Sequence, residues 1–279
     1  MDMSTTVKLN DGNEMPILGF GTWDVRDSEH GEKIIAEAIK SGYRHFDSAS
    51  LYGSEKSVGI GIRDSGIPRN QFYVTTKVWR NDMTAKAARK SLHQSLDNLM
   101  MDYVDLLLIH WPTKRRGDPR WKDTLVEVWG EFEHMQKEGL VRSIGVSNFF
   151  EKHFNAMGGS VVPAVNQIEF HPGYLQSDVV DYCKAHGITV QAWGPLGQAR
   201  LIDHEVVESV AKKHKATTAQ VLLNFCVSQG IVALVKSADK RRMRENTNIF
   251  DVNLDSADYA ILRSLPDRTA WSGEHPDYL

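Results

Sequence analysis

Cysteine is scarce in this chain, with only Cys183 and Cys226 among 279 residues. They stand far apart in apolar helical surroundings and form no Cys-x-x-Cys pair, so no disulfide framework can be built from them. A reducing, cytoplasmic compartment fits that usage. Long hydrophobic runs are missing as well. No stretch reaches the ~18 apolar residues from which a spanning helix is read, so no membrane is expected as a partner. The start, Met1 to Asn13, is polar and lacks the apolar centre of a secretory signal. Nor is there an excess of one charge. The 33 Lys and Arg stand against 36 Asp and Glu for a net charge of −3, which gives no reason to expect nucleic acid. Two local basic runs depart from this balance: Lys114-Arg115-Arg116, read as a solvated face, and Lys240, Arg241, Arg242 and Arg244.

What is present is ordinary globular composition, 41% hydrophobic and 25% charged. A core of this size needs no disulfide or metal. Hydrophobic period alternates between short apolar runs and longer amphipathic segments. The runs are Ile17 to Thr22, Tyr43 to Asp47, Phe72 to Val78, Val104 to His110, Arg142 to Ser147, Ala164 to Glu169, Thr189 to Trp193 and Ile231 to Lys236. Several are apolar almost throughout, as strands buried on both faces should be. Helical patterns lie between them: Glu29 to Lys40, Glu55 to Asp64, Lys86 to Leu99, Asp123 to Lys137, Phe149 to Met157, Ser177 to Ala185, Glu205 to His214 and Ala219 to Ser228. Two further helices follow the last strand. Glycine stands just past three helices, at Gly42, Gly139 and Gly187.

Eight strands in strict alternation with helices predict one domain over residues 1–279, an α/β fold closed as a (β/α)8 TIM barrel. The rival doubly wound sheet would carry a glycine-rich turn after its first strand, and neither Gly19-Phe20-Gly21 nor Gly59-Ile60-Gly61 meets that pattern. Ahead of the first strand, Thr6 to Gly12 followed by Glu14-Met15-Pro16 reads as an N-terminal β-hairpin with an Asp-Gly turn, placed to plug the barrel bottom. The extra helices fall near the C-terminus, and the tail after Pro266 is irregular.

In such a barrel the chemistry sits at the C-terminal ends of the strands. Asp47 and His110 end the second and fourth runs, Lys77 is near the end of the third, and Asn148 follows the fifth. Tyr52 lies in the loop that begins Ser48-Ala49-Ser50-Leu51. A buried Lys77 paired with Asp47 stays charged and favours ionisation of a nearby phenol. Tyrosine starts near pKa ~10, so the expectation is a Tyr52 with lowered pKa that serves as general acid. A neutral His110 would hydrogen-bond the same carbonyl oxygen. Together these groups would stabilise an alkoxide as it forms.

Three segments resemble the signatures of the aldo-keto reductase family. The first is Gly42-Tyr43-Arg44-His45-Phe46-Asp47-Ser48-Ala49 with Tyr52-Gly53-Ser54-Glu55. The second is Val104-Asp105-Leu106 with His110-Trp111-Pro112, then Gly139 through Gly145-Val146-Ser147-Asn148-Phe149. The third is Val235-Lys236-Ser237 with Arg242, Glu245 and Asn246. The resemblance runs from end to end. It departs at Ser48 and Ser54, where the family commonly has Thr and Asn, and at Val235, where Pro is usual.

The resemblance implies Tyr52 as proton donor, Lys77 and Asp47 as its tuning pair and His110 as substrate orienter. It implies NADPH as cofactor, with Ser147, Asn148 and Gln167 on the nicotinamide carboxamide and Trp193 stacked on the nicotinamide face. Gly194-Pro195-Leu196-Gly197-Gln198 would lie over the pyrophosphate. Lys236, Ser237 and Arg242 would take the adenosine 2′-phosphate, for which two cations and a hydroxyl are suitable chemistry; Glu245 and Asn246 belong to the same cofactor motif.

The Trp193 to Gln198 segment and the short tail resemble the microbial branch that includes 2,5-diketo-D-gluconate reductases. The implied partner is a small carbonyl compound: an aldehyde, an α-dicarbonyl or a keto sugar acid. Trp23, Trp79, Trp111 and Trp271 would line the mouth. Aromatic walls supply area with little discrimination, so a broad range is expected. Monomer is the state implied. An alternative of another class is a nucleotide-binding, redox-sensing subunit with little turnover. A metal-dependent hydrolase is disfavoured, since His204-Glu205-Val206-Val207-Glu208 begins like a zinc helix but lacks the second His, and no metal is expected.

Overall fold

The computed structural model describes residues 1–269. Its first two strands, β1 (Thr6–Lys8) and β2 (Glu14–Pro16), pair antiparallel with Val7 opposite Met15. The Asp11 carboxylate accepts from the Asn13 amide and closes the turn. Met15 is fully buried and joins Leu9, Leu106, Leu108, Val165 and Val232 in a small core of its own. Four of those residues lie on strands of the barrel, so the hairpin seals one end of it, as expected.

The barrel strands are β3 (Leu18–Gly21), β4 (His45–Asp47), β5 (Tyr73–Val78), β6 (Val104–Ile109), β7 (Val141–Ser147), β8 (Val165–Glu169), β9 (Thr189–Trp193) and β10 (Val232–Val235). Each pairs in parallel with its neighbours, and β10 returns to β3 with Ala233 opposite Leu18 to close the ring. Every residue of β5 and β6 is buried, which follows from having the barrel interior on one face and helices on the other. The surrounding helices are α1 (Glu29–Lys40), α2 (Glu55–Asp64), α3 (Ala85–Leu99), α4 (Trp121–Lys137), α5 (Glu151–Met157), α6 (Ser177–Ala185), α7 (Glu205–His214), α8 (Thr218–Val227), α9 (Lys240–Glu245) and α10 (Ser256–Arg263). Side-chain caps start several of them: Ser28 on α1, Thr84 on α3, Thr217 with Gln220 on α8 and Asp255 on α10.

The strand bounds differ from expectation where a helix end or a bend uses the backbone first. The second barrel strand begins at His45, not Tyr43. The Tyr43 amide donates to Ala38 and the Gly42 amide to Ile39, ending α1 with Gly42 in the left-handed region at φ +103°. Helix α5 begins at Glu151, two residues later than the periodicity suggests. Asn148 there has φ +63° and Phe150 is extended, with its amide donating to His153 Nδ1.

Inside the barrel, between the hairpin and the strand ends, lies His45 with no exposed surface. Its Nδ1 donates to the Pro16 carbonyl at 3.1 Å, and its Nε2 faces Gln191 Nε2 at 3.3 Å. Position 19 must be glycine for this ring to fit, because a Cβ there would sit 2.8 Å from His45 Nδ1. Burial pulls the His45 pKa down from 6.5 to about 4, against a weaker upward pull from Asp47. The unfolded chain therefore binds a proton between pH 6.5 and about 4 that the folded chain does not. Stability is complete above that window and falls as pH drops through it, by on the order of 3 kcal/mol for this one group. Urea unfolding at pH 7, 5.5 and 4.5 should show this loss. In His45→Gln the slope should be shallower by about one proton; parallel slopes would place the uptake elsewhere.

Candidate active site

The C-terminal strand ends bring the sequence candidates together. Asp47 ends β4, Lys77 is the penultimate residue of β5, and His110 directly follows β6. Strand pairing sets Asp47 opposite Thr75, and Lys77 lies two residues beyond on the same inward face. The Lys77 ammonium is entirely enclosed, and its three protons meet three acceptors: Asp47 Oδ1 at 2.6 Å, the Ser48 carbonyl at 2.8 Å and the Tyr52 hydroxyl at 3.3 Å. Burial works against its charge, yet Asp47 and Tyr52 outweigh burial and hold its pKa above the usual lysine range.

Tyr52 is carried on the loop between β4 and α2. The Thr22 hydroxyl donates to the Asp47 carbonyl and lies 2.8 Å from Ser54 Oγ, which is itself 2.9 Å from Ser48 Oγ. The two family departures in this loop thus touch each other and stitch it to β3. Since Lys77 donates to the Tyr52 oxygen, the phenolic proton is left to point toward His110 Nε2, 3.5 Å away, or into the open cleft. One expectation needs correction. The Tyr52 pKa is raised rather than lowered: burial dominates, Lys77 pulls down and Asp47 pushes up again. The phenol therefore keeps its proton more firmly than a free tyrosine does. His110 matches its expectation, since burial and then the Lys77 charge push it well below the ordinary histidine range and leave it neutral. Its Nδ1 is buried and has no partner among the described residues.

Around this group lie the remaining strand-end candidates. The Gln167 amide donates to Asp47 Oδ2 at 2.7 Å and to Gln191 Oε1 at 2.6 Å. Asn148, in its left-handed conformation, donates to the His110 carbonyl and to Ser147 Oγ, and accepts from Trp193 Nε1 at 3.0 Å. Ser147 in turn donates to the Gln167 carbonyl. Trp23 sets its edge against Tyr52 at 4.9 Å between ring centres, and Trp79 does the same against His110 at 5.1 Å.

One cavity of about 1320 Å³ joins these residues to the rest of the predicted set. It includes Tyr52, His110, Trp23, Trp79 and Trp111, then Ser147, Asn148, Gln167 and Trp193. It continues along Gly194, Pro195, Leu196 and Gln198, and reaches Lys236, Ser237, Arg242, Glu245 and Asn246. Gly197 belongs to the same loop but does not line the cavity, and Trp271 falls outside the described residues. Thr22, Leu51, Arg80, Ala199, Ile202, Asp203, Thr217, Thr218 and Asp239 line it without having been anticipated. Thr217 caps α8, and nothing in the local sequence pattern said that this residue would face the cleft.

The basic end divides between the surface and the cleft. Arg241 pairs with Glu245 and Arg244 with Glu37 on the surface, while Arg242 faces the cavity. Asp239 turns its carboxylate onto the Arg242 backbone amide, capping α9. His204 caps α7 by accepting from the Val206 amide. A long cleft with a proton donor and a flat indole at one part, and two cations with a hydroxyl at another, fits a phosphorylated dinucleotide in size and chemistry.

Comparison with known proteins agrees. The model of the Aldo/keto reductase family matches residues 17–267. The chain is 39% identical over 279 residues to glyoxal reductase of Bacillus subtilis (strain 168), covering 99% of this chain and 98% of that protein. Among solved structures, an aldo-keto reductase from a Medee basin deep-sea metagenome library superposes with a TM-score of 0.90 at 35% identity, covering 96% and 98% of the two chains. The Bombyx mori aldo-keto reductase in complex with NADP gives 0.88 at 29% identity, covering 98% and 96%. With its barrel, its strand-end residues and these matches in agreement, the chain belongs to the aldo-keto reductase family.

Proposed function

We propose that this protein reduces small carbonyl compounds with NADPH, with Tyr52 giving the proton. The observation that carries the reading is the contact of Tyr52, Lys77, Asp47 and His110 at one part of a cleft whose other part holds Lys236 and Arg242. The NADP complex of the Bombyx mori relative supports the cofactor, and the Bacillus relative's name supports a dicarbonyl substrate. When bound, NADPH supplies a hydride to the carbonyl carbon.

The chain's own residues do the rest. The neutral His110 hydrogen-bonds and orients the carbonyl oxygen. Tyr52 gives its proton to that oxygen as negative charge forms there, so the product is an alcohol. The Lys77 ammonium stabilises the phenolate left behind, and Asp47 keeps the ammonium in place. A phenol that holds its proton firmly at rest suits this direction, because it enters each cycle as an acid.

Ser147, Asn148 and Gln167 hold the carboxamide, and Trp193 offers its ring to the nicotinamide face. The loop from Gly194 to Gln198 covers the pyrophosphate. Lys236, Ser237 and Arg242 hold the 2′-phosphate, with Glu245 and Asn246 beside them. Trp23, Trp79 and Trp111 form an apolar wall that admits aldehydes, α-dicarbonyls and keto sugar acids such as 2,5-diketo-D-gluconate.

Loss of absorbance at 340 nm with 2,5-diketo-D-gluconate, diacetyl, methylglyoxal and an aromatic aldehyde tests the reading directly. Turnover is expected with NADPH and less with NADH; firm NADPH binding without turnover on any of them would favour a redox-sensing role. Tyr52→Phe should lower kcat/KM by at least about 100-fold while NADPH affinity stays near wild type. Retained turnover would remove Tyr52 as the acid. Arg242→Ala should weaken NADPH by on the order of tenfold and leave NADH little changed. Equal losses would mean that the 2′-phosphate lies elsewhere.

A further inference from the structure

Beneath the catalytic residues the barrel interior holds two polar side chains, His45 and Gln191, that the reaction above does not use, and both lead to Gln167. His45 and Gln191 have no exposed surface, and Gln167 has 2%. Their hydrogen bonds run from the hairpin backbone to the catalytic carboxylate, with one branch from Gln191 Nε2 to Met15 Sδ at 3.7 Å, and only one arrangement of protons satisfies them. The Pro16 carbonyl can only accept, so His45 Nδ1 carries the ring proton and Nε2 accepts. Gln191 therefore turns its NH2 group to His45 at 3.3 Å and its Oε1 to Gln167 at 2.6 Å. Gln167 then uses both N–H groups, one on Gln191 and one on Asp47 Oδ2 at 2.7 Å. Its Oε1 is left as the one polar atom of that side chain open to a ligand.

The far end of the line is fixed by packing. The His45 ring meets Tyr73 edge-on at 4.9 Å, and the missing side chain at Gly19 leaves room for it. A barrel interior filled with aliphatic side chains would need none of this, and a buried polar chain is costly unless each member is satisfied. Here each link has its partner, and the last link is the carboxylate that holds Lys77.

We propose that Gln191 and His45 are positioning residues of the reductase. They lock the Gln167 amide, and through it set both the charge that Asp47 presents to Lys77 and the acceptor offered to the nicotinamide carboxamide. The inference rests on the NADPH reading given above. Release of the lock leaves Asp47 Oδ2 without its donor, concentrates negative charge toward Lys77 and weakens the pull of Lys77 on Tyr52. The charged and titratable groups facing Tyr52 are Lys77, Asp47 and His110; those facing His45 are Asp47, Lys77 and Tyr73.

The test is the pH dependence of kcat for carbonyl reduction, with NADPH and 2′,5′-ADP affinities measured by fluorescence titration. Gln191→Met keeps the volume and removes the hydrogen bonds to Gln167, His45 and Met15. It should lower kcat on the order of tenfold, as a misplaced reacting group does. The basic limb of the profile should move up by about half a pH unit. NADPH should bind more weakly while 2′,5′-ADP, which lacks the nicotinamide, binds as before. Gln191→Glu still accepts from Gln167, and its second oxygen pairs with a protonated His45, so its kcat should stay within about threefold of wild type. If Gln191→Met does not fold, His45→Phe keeps the ring against Tyr73 and repeats the test one link further out. A variant with wild-type kcat, pH limb and NADPH affinity, changed only in melting temperature, would overturn the proposal. A wild-type chain that fails to turn over any carbonyl would instead overturn the reductase reading itself.

Discussion

The buried pair of Lys77 and Asp47 is the constraint around which the site is arranged. An ammonium with no exposed surface is tolerated only when each of its protons has an acceptor, and here a carboxylate, a backbone carbonyl and a phenol provide them. Asp47 needs partners in turn, and Gln167 fills its second oxygen. The positions of Tyr52 and His110 follow. The phenol must lie within reach of the third ammonium proton, and the imidazole must remain neutral beside the same charge. Loss of either member of the pair would leave an uncompensated charge inside the barrel, a change that typically costs about 3–5 kcal/mol.

The parallel barrel makes this pair possible through strand register. Adjacent strands place Asp47 and Lys77 on one pleat face, and closure of the ring lets β8 and β9 reach the same space with Gln167 and Gln191. The polar interior is therefore built from strands far apart in sequence. The hairpin closes the opposite end with Met15 and gives the Pro16 carbonyl to His45. One end of the barrel is sealed by apolar packing, and the other opens into the cleft.

The cleft itself changes character along its length. Near Tyr52 the wall is indole, which gives contact area and few directional demands. Near Lys236 and Arg242 it holds two cations and the Ser237 hydroxyl beside Asp239 and Glu245.

The sequence by itself determined the alternation of eight strands and their helices, the hairpin and the identity of the strand-end groups. Those features depend on local period, turn chemistry and motif, all carried by neighbouring residues. Bounds shifted at Tyr43 and Phe149 because the C-terminal turn of α1 and the left-handed Asn148 claim backbone that hydrophobic period cannot register. The direction of the Tyr52 shift was misjudged from sequence, since a Lys–Asp partnership can be inferred from strand ends whereas the depth of burial around a phenol cannot. Only the tertiary structure decided that Thr22, Thr217 and Asp239 face the cleft. It alone joined His45, Gln191 and Gln167 to Asp47, because hydrogen bonds across 24 to 146 positions of chain leave no periodic trace and exist only once the barrel has closed.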